Sequence, residues 1–299
     1  MDLDGLVLID KPADMSSRQV VDRLRRMLGV RKAGHFGTLD PFATGLLCVA
    51  LGQATKLLQF MGSDAKEYIA TIGFEKFTDT DDLKGQTIAN FENVTLDVAA
   101  AQAWLDSHQG WFEQVPPEYS AQKLNGQPLY KLKRRNIEVR PRPKPVCITA
   151  SEILDHGRDW LSVRIACSRG TYIRSIAREL GRELGLGGYL RELRRLKSEG
   201  FAIEQALTLE EAAQRAADGS LTVIALEQAH RLPQARVAPA YERAVIDGKP
   251  LERDWFLDEI AAAADGLFAV TGTAGRLICV ARIVDEADAW ARVERGFHP

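Results

Sequence analysis

The sequence predicts an α+β fold: a mostly antiparallel sheet flanked by helices, followed by a small β-rich C-terminal domain. Apolar and polar residues alternate over 68–74, as they do on a half-buried strand. Apolar residues recur at helical spacing over 17–28, where Ser16 can cap the first turn and Gly29 can end the last. Beyond Pro233, short apolar stretches alternate with turn-forming residues, which favours a second, β-rich unit.

The remaining elements follow from the same patterns. Strands are expected at 5–10, 146–154, 161–167, 266–271 and 276–283, helices at 54–61, 98–105, 171–184, 209–217, 223–228 and 241–247, and a loop at 31–45. Residues 116–145 are rich in proline and basic side chains and show little periodicity, so they are interpreted as an insertion or surface arm. We expect one domain at 1–232 and a second at 235–299.

Composition is typical of a globular protein. The chain has 299 residues, of which 45% are apolar and 27% charged. Its longest apolar runs are too short to span a bilayer, and its acidic N-terminus lacks the features of a signal peptide, so a cytoplasmic location is expected. Cys48, Cys147, Cys167 and Cys279 stand apart in apolar surroundings, which indicates buried thiols in a reducing compartment rather than zinc ligands.

Charge is distributed unevenly along the chain. The net charge is −2, but residues 201–299 carry −6 and residues 1–200 carry +4. One basic cluster lies at 122–145 and another at 191–197. Such clusters suit an RNA backbone, but a solvated protein face is the interpretation that the sequence alone favours.

The stretch Gly34–Gly45 is the most unusual part of the sequence. Its three glycines permit sharp bends and close approach of a ligand. Asp40 precedes Pro41, which favours an extended backbone and removes the next amide donor. An aspartate on such a loop could act as a nucleophile or a base, or it could simply close a turn.

A second candidate segment is Cys167–Arg174. Ser168 or Thr171 can cap the helix that follows, and its free amides favour a nearby anion. Arg174 lies in the first turn, where a cation is unfavourable for the helix dipole. A carboxylate partner would relieve this, and Asp40 is a candidate; a solvent-exposed arginine is the alternative.

No familiar cofactor motif accompanies these segments. The sequence has no GxGxxG after a strand, no GxxxxGK[ST], no HExxH and no GxSxG. Chemistry driven by a nucleotide or by zinc is therefore not favoured.

Several motifs together resemble TruB-type pseudouridine synthases. They occur in the family's order over roughly the first 200 residues: 10–12 with 15–17, 34–45 continuing to 52–56, 66–68, 78–82, 116–123, 167–174 and 189–195. Residues 235–299 resemble the family's small PUA-like RNA-binding domain more weakly, through position and strand pattern. Two positions depart from the family pattern: Asp14 replaces a usual glycine, and Phe36 replaces a small polar residue beside His35.

The resemblance implies a pseudouridine-synthase fold and a cofactor-free isomerase, an intramolecular transferase acting on uridine 55 in the T-loop of tRNA. It implies Asp40 as nucleophile, with Arg174 paired to it and Tyr68 stacked on a flipped base. His35 would help to extrude the uridine, and Leu193 would line an apolar wall. Tyr172, Asp82 and Lys11 are further expected substrate-binding residues. The expected partner is the tRNA T-arm and elbow, without a membrane, a metal or an obligate protein partner.

Three alternatives remain open from the sequence. The first is a non-catalytic tRNA-binding or tRNA-folding protein on the same scaffold, although a pure binder would not need Asp40, Tyr68 and Arg174 together. The second is a guide-RNA-dependent synthase, against which the absence of lysine-rich tails argues. The third is an acid–base hydrolase that uses Asp40 with a histidine, which leaves the other motifs unexplained.

Overall fold

A computed structural model gives the three-dimensional structure of the chain. It describes residues 3–61, 65–120, 122–124, 126–133, 135, 137–139, 141–260, 262–286 and 289–297. None of the helices in these ranges has both the length and the apolar character that crossing a bilayer requires.

The described chain forms helices and strands in alternating groups. Helices α1 to α6 span Ser17–Met27, Val98–Ser107, Leu129–Lys133, Ile173–Glu183, Leu209–Ala217 and Pro239–Ile246. Strands β1 to β9 span Gly5–Lys11, Ala33–Phe36, Thr44–Leu51, Lys66–Gly73, Lys76–Thr78, Thr87–Asn90, Gly110–Gln114, Lys123–Leu124 and Gln127–Pro128. Strands β10 to β17 span Lys144–His156, Trp160–Cys167, Tyr189–Ser198, Phe201–Ala202, Gln234–Arg236, Leu267–Thr271, Leu277–Glu286 and Ala289–Gly296. Short 3₁₀ segments lie at Gly52–Gln59, Ile203–Gln205, Leu226–Gln228 and Arg253–Trp255.

The main sheet has nine strands within the described residues. Its order is β1-β3-β12-β4-β11-β10-β7, with β2 also paired to β3 and β13 to β12. All of these pairs are antiparallel except β12 with β3. The predicted α+β class with a mostly antiparallel sheet is confirmed.

Helices cover the sheet because its central strands bury residues on both faces. On β3, Leu46 and Cys48 belong to one apolar cluster, whereas Leu47 and Val49 belong to another that contains residues of α1 and α5. A third cluster joins β4, β11 and β12 to α2 and α4. Burial on both faces agrees with the near-continuous apolar sequence of β3.

A second sheet follows in the C-terminal part, in the order β14-β15-β16-β17. It has its own apolar cluster, confirming the predicted β-rich C-terminal region. Leu267, Ala269 and Phe297 also pack into the cluster that covers Leu6 and Leu46 of the main sheet. The division into domains at 1–232 and 235–299 stays a prediction.

Local patterns predicted many of these elements but missed others, among them strands β7, β12 and β17, and two of the differences have a clear cause. The helix expected at 223–228 shrinks to the 3₁₀ turn Leu226–Gln228, because Leu6 and Ile224 exchange two backbone hydrogen bonds, of 2.9 and 2.8 Å. The loop expected at 31–45 contains β2, because residues 33–36 pair with β3. In both cases pairing with a distant strand overrides the local pattern.

Candidate active site

Asp40 lies on the loop of residues 37–43, which joins β2 to β3 and is called here the aspartate loop. The backbone turns left-handed at Gly37, with φ of 61°. Ser17 Oγ donates to the Leu39 carbonyl at 3.0 Å and accepts from the Leu39 amide at 2.9 Å. At the end of the loop Gly45 has φ of 100°, and a Cβ there would lie 2.3 Å from the Arg195 carbonyl oxygen. The loop is therefore fixed at both ends and anchored to α1.

Lys11 anchors the aspartate loop through a hydrogen bond to the Pro41 carbonyl. Its side chain is fully buried, and its ammonium donates to the carbonyls of Pro12, Met15 and Pro41. Burial lowers the pKa of Lys11 to about 8, while the Asp40 carboxylate acts in the opposite direction. Lys11 was expected to bind substrate, but all three ammonium protons are used within the protein. Its position suits support of the loop rather than contact with RNA.

Arg174 pairs with Asp40, as the sequence suggested. Its Nη2 donates to Asp40 Oδ1 at 3.1 Å, and its Nε lies 2.9 Å from Oδ2 as a charge contact without hydrogen-bond alignment. The Arg174 side chain is 7% exposed and that of Asp40 is 31% exposed. A buried guanidinium thus holds a carboxylate that still reaches the surface.

The start of α4 differs from the prediction. The N-cap is Tyr172, whose side chain makes no capping bond, whereas Ser168 and Thr171 were expected to cap. Ser168 Oγ instead accepts from the Cys147 amide at 2.9 Å, and Thr171 Oγ1 donates to the Ser168 carbonyl at 3.0 Å. The competing bonds to β10 and to the turn explain the difference.

The acidic loop, residues 78–82, also converges on Arg174. Arg174 Nη1 donates to the Thr80 carbonyl at 2.9 Å and lies 3.6 Å from Asp82 Oδ2. Asp82 Oδ1 accepts from Thr80 Oγ1 and from the Lys84 amide. Burial raises the pKa of Asp82, and the Arg174 charge opposes that rise. The structure therefore brings Asp40, Asp82 and Arg174 together.

Tyr68 and Leu193 form part of an apolar wall on the neighbouring strands β4 and β12. They belong to one buried cluster with Leu39, and Phe42 of the aspartate loop packs against it. Burial raises the pKa of Tyr68, although the charge of Arg195 opposes the shift. The Tyr68 hydroxyl is therefore protonated at neutral pH. Leu193 lies on a strand rather than in the core of a helix.

His35 lies on β2 rather than on a free loop, opposite Val49 of β3. Its ring is half-buried, and Nδ1 is buried without a hydrogen-bond partner among the described residues. Burial, followed by the charges of Arg195 and Arg18, lowers the pKa of His35. The ring is therefore neutral at pH 7.

Tyr172 is half-buried and lies near the aspartate loop. The ammonium of Lys144 sits 4.9 Å from the centre of its ring. Burial raises the pKa of the Tyr172 hydroxyl, the Arg174 charge opposes that rise, and the Asp40 charge adds to it. The Asp40 charge also acts to raise the pKa of Lys11 and of Tyr68. Among the described residues, His35 and Leu193 have no hydrogen bond to Asp40.

Arg195 was assigned to a basic RNA-binding cluster from sequence, and this is wrong. Its side chain is fully buried; Nε donates to the Leu46 carbonyl at 2.7 Å and Nη2 to the Gly37 carbonyl at 3.0 Å. The other basic residues of 191–197 are ion-paired: Arg191 with Glu75 and Asp159, Arg194 with Asp10, and Lys197 with Glu67. The basic residues of 191–197 therefore bind partners within the protein.

The first basic cluster, at 122–145, lies partly outside the described residues. Arg134 and Arg140 are outside them, as are the side chains of Lys123 and Lys131. Within the described part, the Lys133 ammonium pairs with Glu118. RNA binding by this cluster stays a prediction.

Arg178 lies beside the site, although the sequence patterns did not single it out. Its Nη1 bonds Asp81, and its Nη2 donates to the Val115 carbonyl at 2.7 Å. One helical turn earlier, Arg174 donates to the Tyr119 carbonyl at 3.1 Å. Both arginines therefore tie the acidic loop to the segment 115–119, where the insertion begins. Their i, i+4 spacing on one face of α4 was the available signal.

Within the described residues, no group of three His, Cys, Asp or Glu side chains is placed to hold a metal ion. Cys48, Cys167 and Cys279 are buried, and burial raises the pKa of the Cys167 thiol to about 11. These are the positions expected for structural thiols.

Sequence comparison relates the chain to enzymes of RNA modification. Residues 25–173 match the family model described as TruB family pseudouridylate synthase, N-terminal domain. The tRNA pseudouridine synthase B of Syntrophotalea carbinolica is 39% identical over 260 residues, covering 86% of this chain and 85% of that protein. The protein of the same name from Gloeobacter violaceus is 41% identical over 276 residues, covering 89% and 90%.

Structural comparison finds the same fold in solved complexes. A chain from the crystal structure of a Cbf5-Nop10-Gar1 complex superimposes with a TM-score of 0.76 at 25% identity, covering 99% of this chain and 85% of that one. A chain from an archaeal box H/ACA sRNP Nop10-Cbf5 complex gives 0.76 at 23% identity, covering 100% and 87%. The latter similarity concerns the fold alone.

Removing Arg178 is expected to destabilise the acidic loop strongly. In Arg178→Met, the side chain of Asp81, which is 11% exposed, loses its cation inside the protein. Breaking a buried ion pair from one side costs about 3–5 kcal/mol, so the free energy of unfolding in urea should fall by that order. The control is Arg182→Met, which removes an exposed arginine from the same helix. Equal losses in the two variants would contradict the buried pairing, and adding Asp81→Asn should recover part of the loss only in Arg178→Met.

Proposed function

This chain belongs to the TruB family of pseudouridylate synthases, and on that premise we propose that it isomerises uridine 55 in the T-loop of tRNA, acting without a guide RNA. Because its relatives are named tRNA pseudouridine synthase B, the chain is assigned as an isomerase that forms pseudouridine in tRNA and binds RNA as its substrate. The position in tRNA, the independence from a guide and the identity of the nucleophile belong to the proposal.

The single observation that carries the proposal is the partly exposed Asp40 carboxylate held by the buried Arg174 guanidinium. Asp40 is the proposed nucleophile, forming a transient covalent link to the flipped nucleotide. Arg174 holds the carboxylate in place, because the two opposite charges attract each other at this distance. Its planar fork also fixes orientation in a way that lysine would not.

The reaction needs no external reactant. The N1–C1′ glycosidic bond of the uridine breaks, the uracil rotates, and a new bond forms between C5 and C1′. The proton displaced from C5 leaves as N1 gains one, so the product is an isomer of the substrate and nothing is oxidised or reduced. Neither a redox cofactor nor a metal is required for this balance.

The target uridine must leave its stack before Asp40 can reach it, at a cost of a few kcal/mol. We assign His35 to this step: a neutral ring can occupy the vacated stack without carrying a charge into it. A fluorescent base analogue at the target position would report the extrusion. An unchanged signal with His35→Ala would remove this role.

Tyr68 and Leu193 would receive the flipped base. Tyr68 offers a ring for stacking, and Leu193 with Phe42 supplies apolar surface that excludes water from the reacting centre. Since burial raises the pKa of Tyr68, its hydroxyl would act as a proton donor or relay, not as a preformed phenolate. Asp82 and Tyr172 would position Arg174 and the substrate around this pocket.

The proposed partner is the T-arm and elbow of tRNA, with the insertion at 116–145 and the C-terminal sheet as further RNA contacts. No obligate protein partner is proposed, because the aspartate loop, Arg174 and the apolar wall all come from one chain. A non-catalytic RNA-binding protein on the same scaffold would not need a buried guanidinium aimed at an exposed carboxylate.

Tritium release tests the proposed function directly. The purified protein is incubated alone with a tRNA transcript tritiated at uracil C5, and the modified position is then mapped. We expect stoichiometric release from one uridine, at position 55. Release only after adding a guide RNA, or release from another position, would contradict the corresponding part of the proposal; no release under any condition would contradict the whole.

Replacing Asp40 should abolish turnover while preserving binding. Asp40→Asn keeps the shape of the side chain but removes its charge and nucleophilicity, so we expect turnover to fall on the order of a thousandfold or more. Asp14→Asn is the control, because Asp14 is a largely exposed carboxylate near the same region, paired with Lys84. Single-turnover tritium release and tRNA affinity are both measured. An Asp40→Asn protein that is folded and turns over normally would remove Asp40 as the nucleophile.

Replacing Tyr68 should slow the reaction through lost stacking. Base–aromatic stacking contributes about 1–3 kcal/mol, so Tyr68→Leu should lower the single-turnover rate by roughly tenfold to a hundredfold. Tyr68→Phe retains the ring and isolates the contribution of the hydroxyl. Phe74→Leu is the matched control, because it shortens a fully buried aromatic of the same cluster, six residues along the chain from Tyr68. Wild-type rates in Tyr68→Leu would exclude the proposed stacking.

A further inference from the structure

A basic groove lies between α1 and the beginning of β2, apart from the aspartate loop. It is lined by Arg18, Asp22, Arg25, Arg31, Lys32, Ala33 and Thr55, and its volume is about 440 Å³. The groove was not among the basic clusters that the sequence analysis singled out.

The groove is strongly positive. Four of its lining residues are cationic and only Asp22 is acidic. The Asp22 carboxylate is already neutralised from within, since Arg18 Nε lies 2.9 Å from Oδ2 and Arg25 Nε 3.9 Å from Oδ1. Among the described residues, Arg31 and Lys32 form no ion pair with a carboxylate. This contrasts with the basic residues of β12, which are paired or buried, and leaves the groove open to an external anion.

The position of the groove connects it to the aspartate loop. Lys32 immediately precedes β2, which carries His35 and leads to Gly37. The Lys32 carbonyl accepts from the Gly52 amide at 2.8 Å, which fixes the backbone at this edge. The Arg18 charge is close enough to His35 to contribute to lowering its pKa. An anionic chain lying in the groove would therefore continue toward the site where the target nucleotide is flipped.

We propose that this groove binds backbone phosphates of the substrate RNA beside the target nucleotide. This inference rests on the proposed function, because it assigns a second contact surface to the same RNA. Arginine suits the task because its guanidinium can bind phosphate oxygens in a bidentate manner. Arg18 stays paired with Asp22 through its Nε, but its side chain is 81% exposed, so its other guanidinium donors can face a phosphate. The groove would anchor the strand while His35 and Asp40 act on one nucleotide.

The test compares two double variants, whose substitutions lie in α1 or, for Arg31, just after it. Arg18→Gln with Arg31→Gln removes two charges that line the groove. Arg23→Gln with Arg26→Gln removes two charges from the same helix that do not line it, and Arg23 makes only an exposed contact with Glu210. Affinity for a fluorescent tRNA transcript and for an isolated T-arm hairpin is measured by anisotropy across a potassium chloride series. Thermal unfolding checks that all proteins remain folded.

Counterion release sets the expected result. Each lost phosphate contact reduces the slope of log affinity against log salt by about 0.7–0.9, so the groove variant should lose about 1–2 from the slope and bind tRNA on the order of tenfold more weakly at 0.15 M salt. A similar loss on the hairpin would place the bound phosphates in the T-arm itself. The control variant should bind within about twofold of wild type.

Two results would overturn the proposal. Wild-type affinity and slope in the groove variant would mean that the groove does not contact RNA. Equal weakening in both double variants would mean that only bulk charge matters. The outcome is separable from that of the proposed function, because wild-type tritium release decides catalysis, whereas the affinity comparison needs no turnover.

Discussion

The buried guanidinium of Arg174 is the interaction on which the rest of the site depends. A cation with 7% of its side chain exposed is costly unless partners surround it, and three parts of the chain supply them. Asp40 comes from the aspartate loop, Thr80 and Asp82 from the acidic loop, and the Tyr119 carbonyl from the start of the insertion. Because these partners share one cation, a shift of any one segment alters how the carboxylate of Asp40 is held.

A second buried cation extends this logic under the aspartate loop. Arg195 on β12 is fully buried and donates to carbonyls of Gly37 and Leu46, at either side of the loop. Lys11 on β1 also binds the backbone of the loop, because its ammonium donates to the Pro41 carbonyl. The parallel pairing of β12 with β3 is what brings Arg195 beneath the loop. The loop is thus held by charged side chains that bind its backbone, leaving the Asp40 carboxylate available to a ligand.

The sequence predicted many local elements and the pairing of Arg174 with Asp40, but it missed strand β12 and could not predict long-range pairing. The strand at 68–74 and helix α1 follow from periodicity and capping, and the pairing of Arg174 with Asp40 follows from an unfavourable cation in a first helical turn. Arg195 was assigned to the surface because its neighbours in sequence are basic, whereas carbonyls about 150 residues earlier in the chain draw it inside. The basic groove escaped detection because its four cations are scattered over residues 18–32 among other side chains, and helix α1 with the turn after it brings them to one surface.

The central claim is that Asp40 and Arg174 are energetically coupled, and a double-mutant cycle measures this most directly. The free energies of unfolding in urea are compared for wild type, Asp40→Asn, Arg174→Gln and the double variant. We expect a coupling energy of about 1 kcal/mol or more, because a carboxylate and a guanidinium attract each other more strongly where they are partly withdrawn from water. Effects that add to within about 0.3–0.5 kcal/mol would show that the two side chains do not stabilise each other, and would contradict the account.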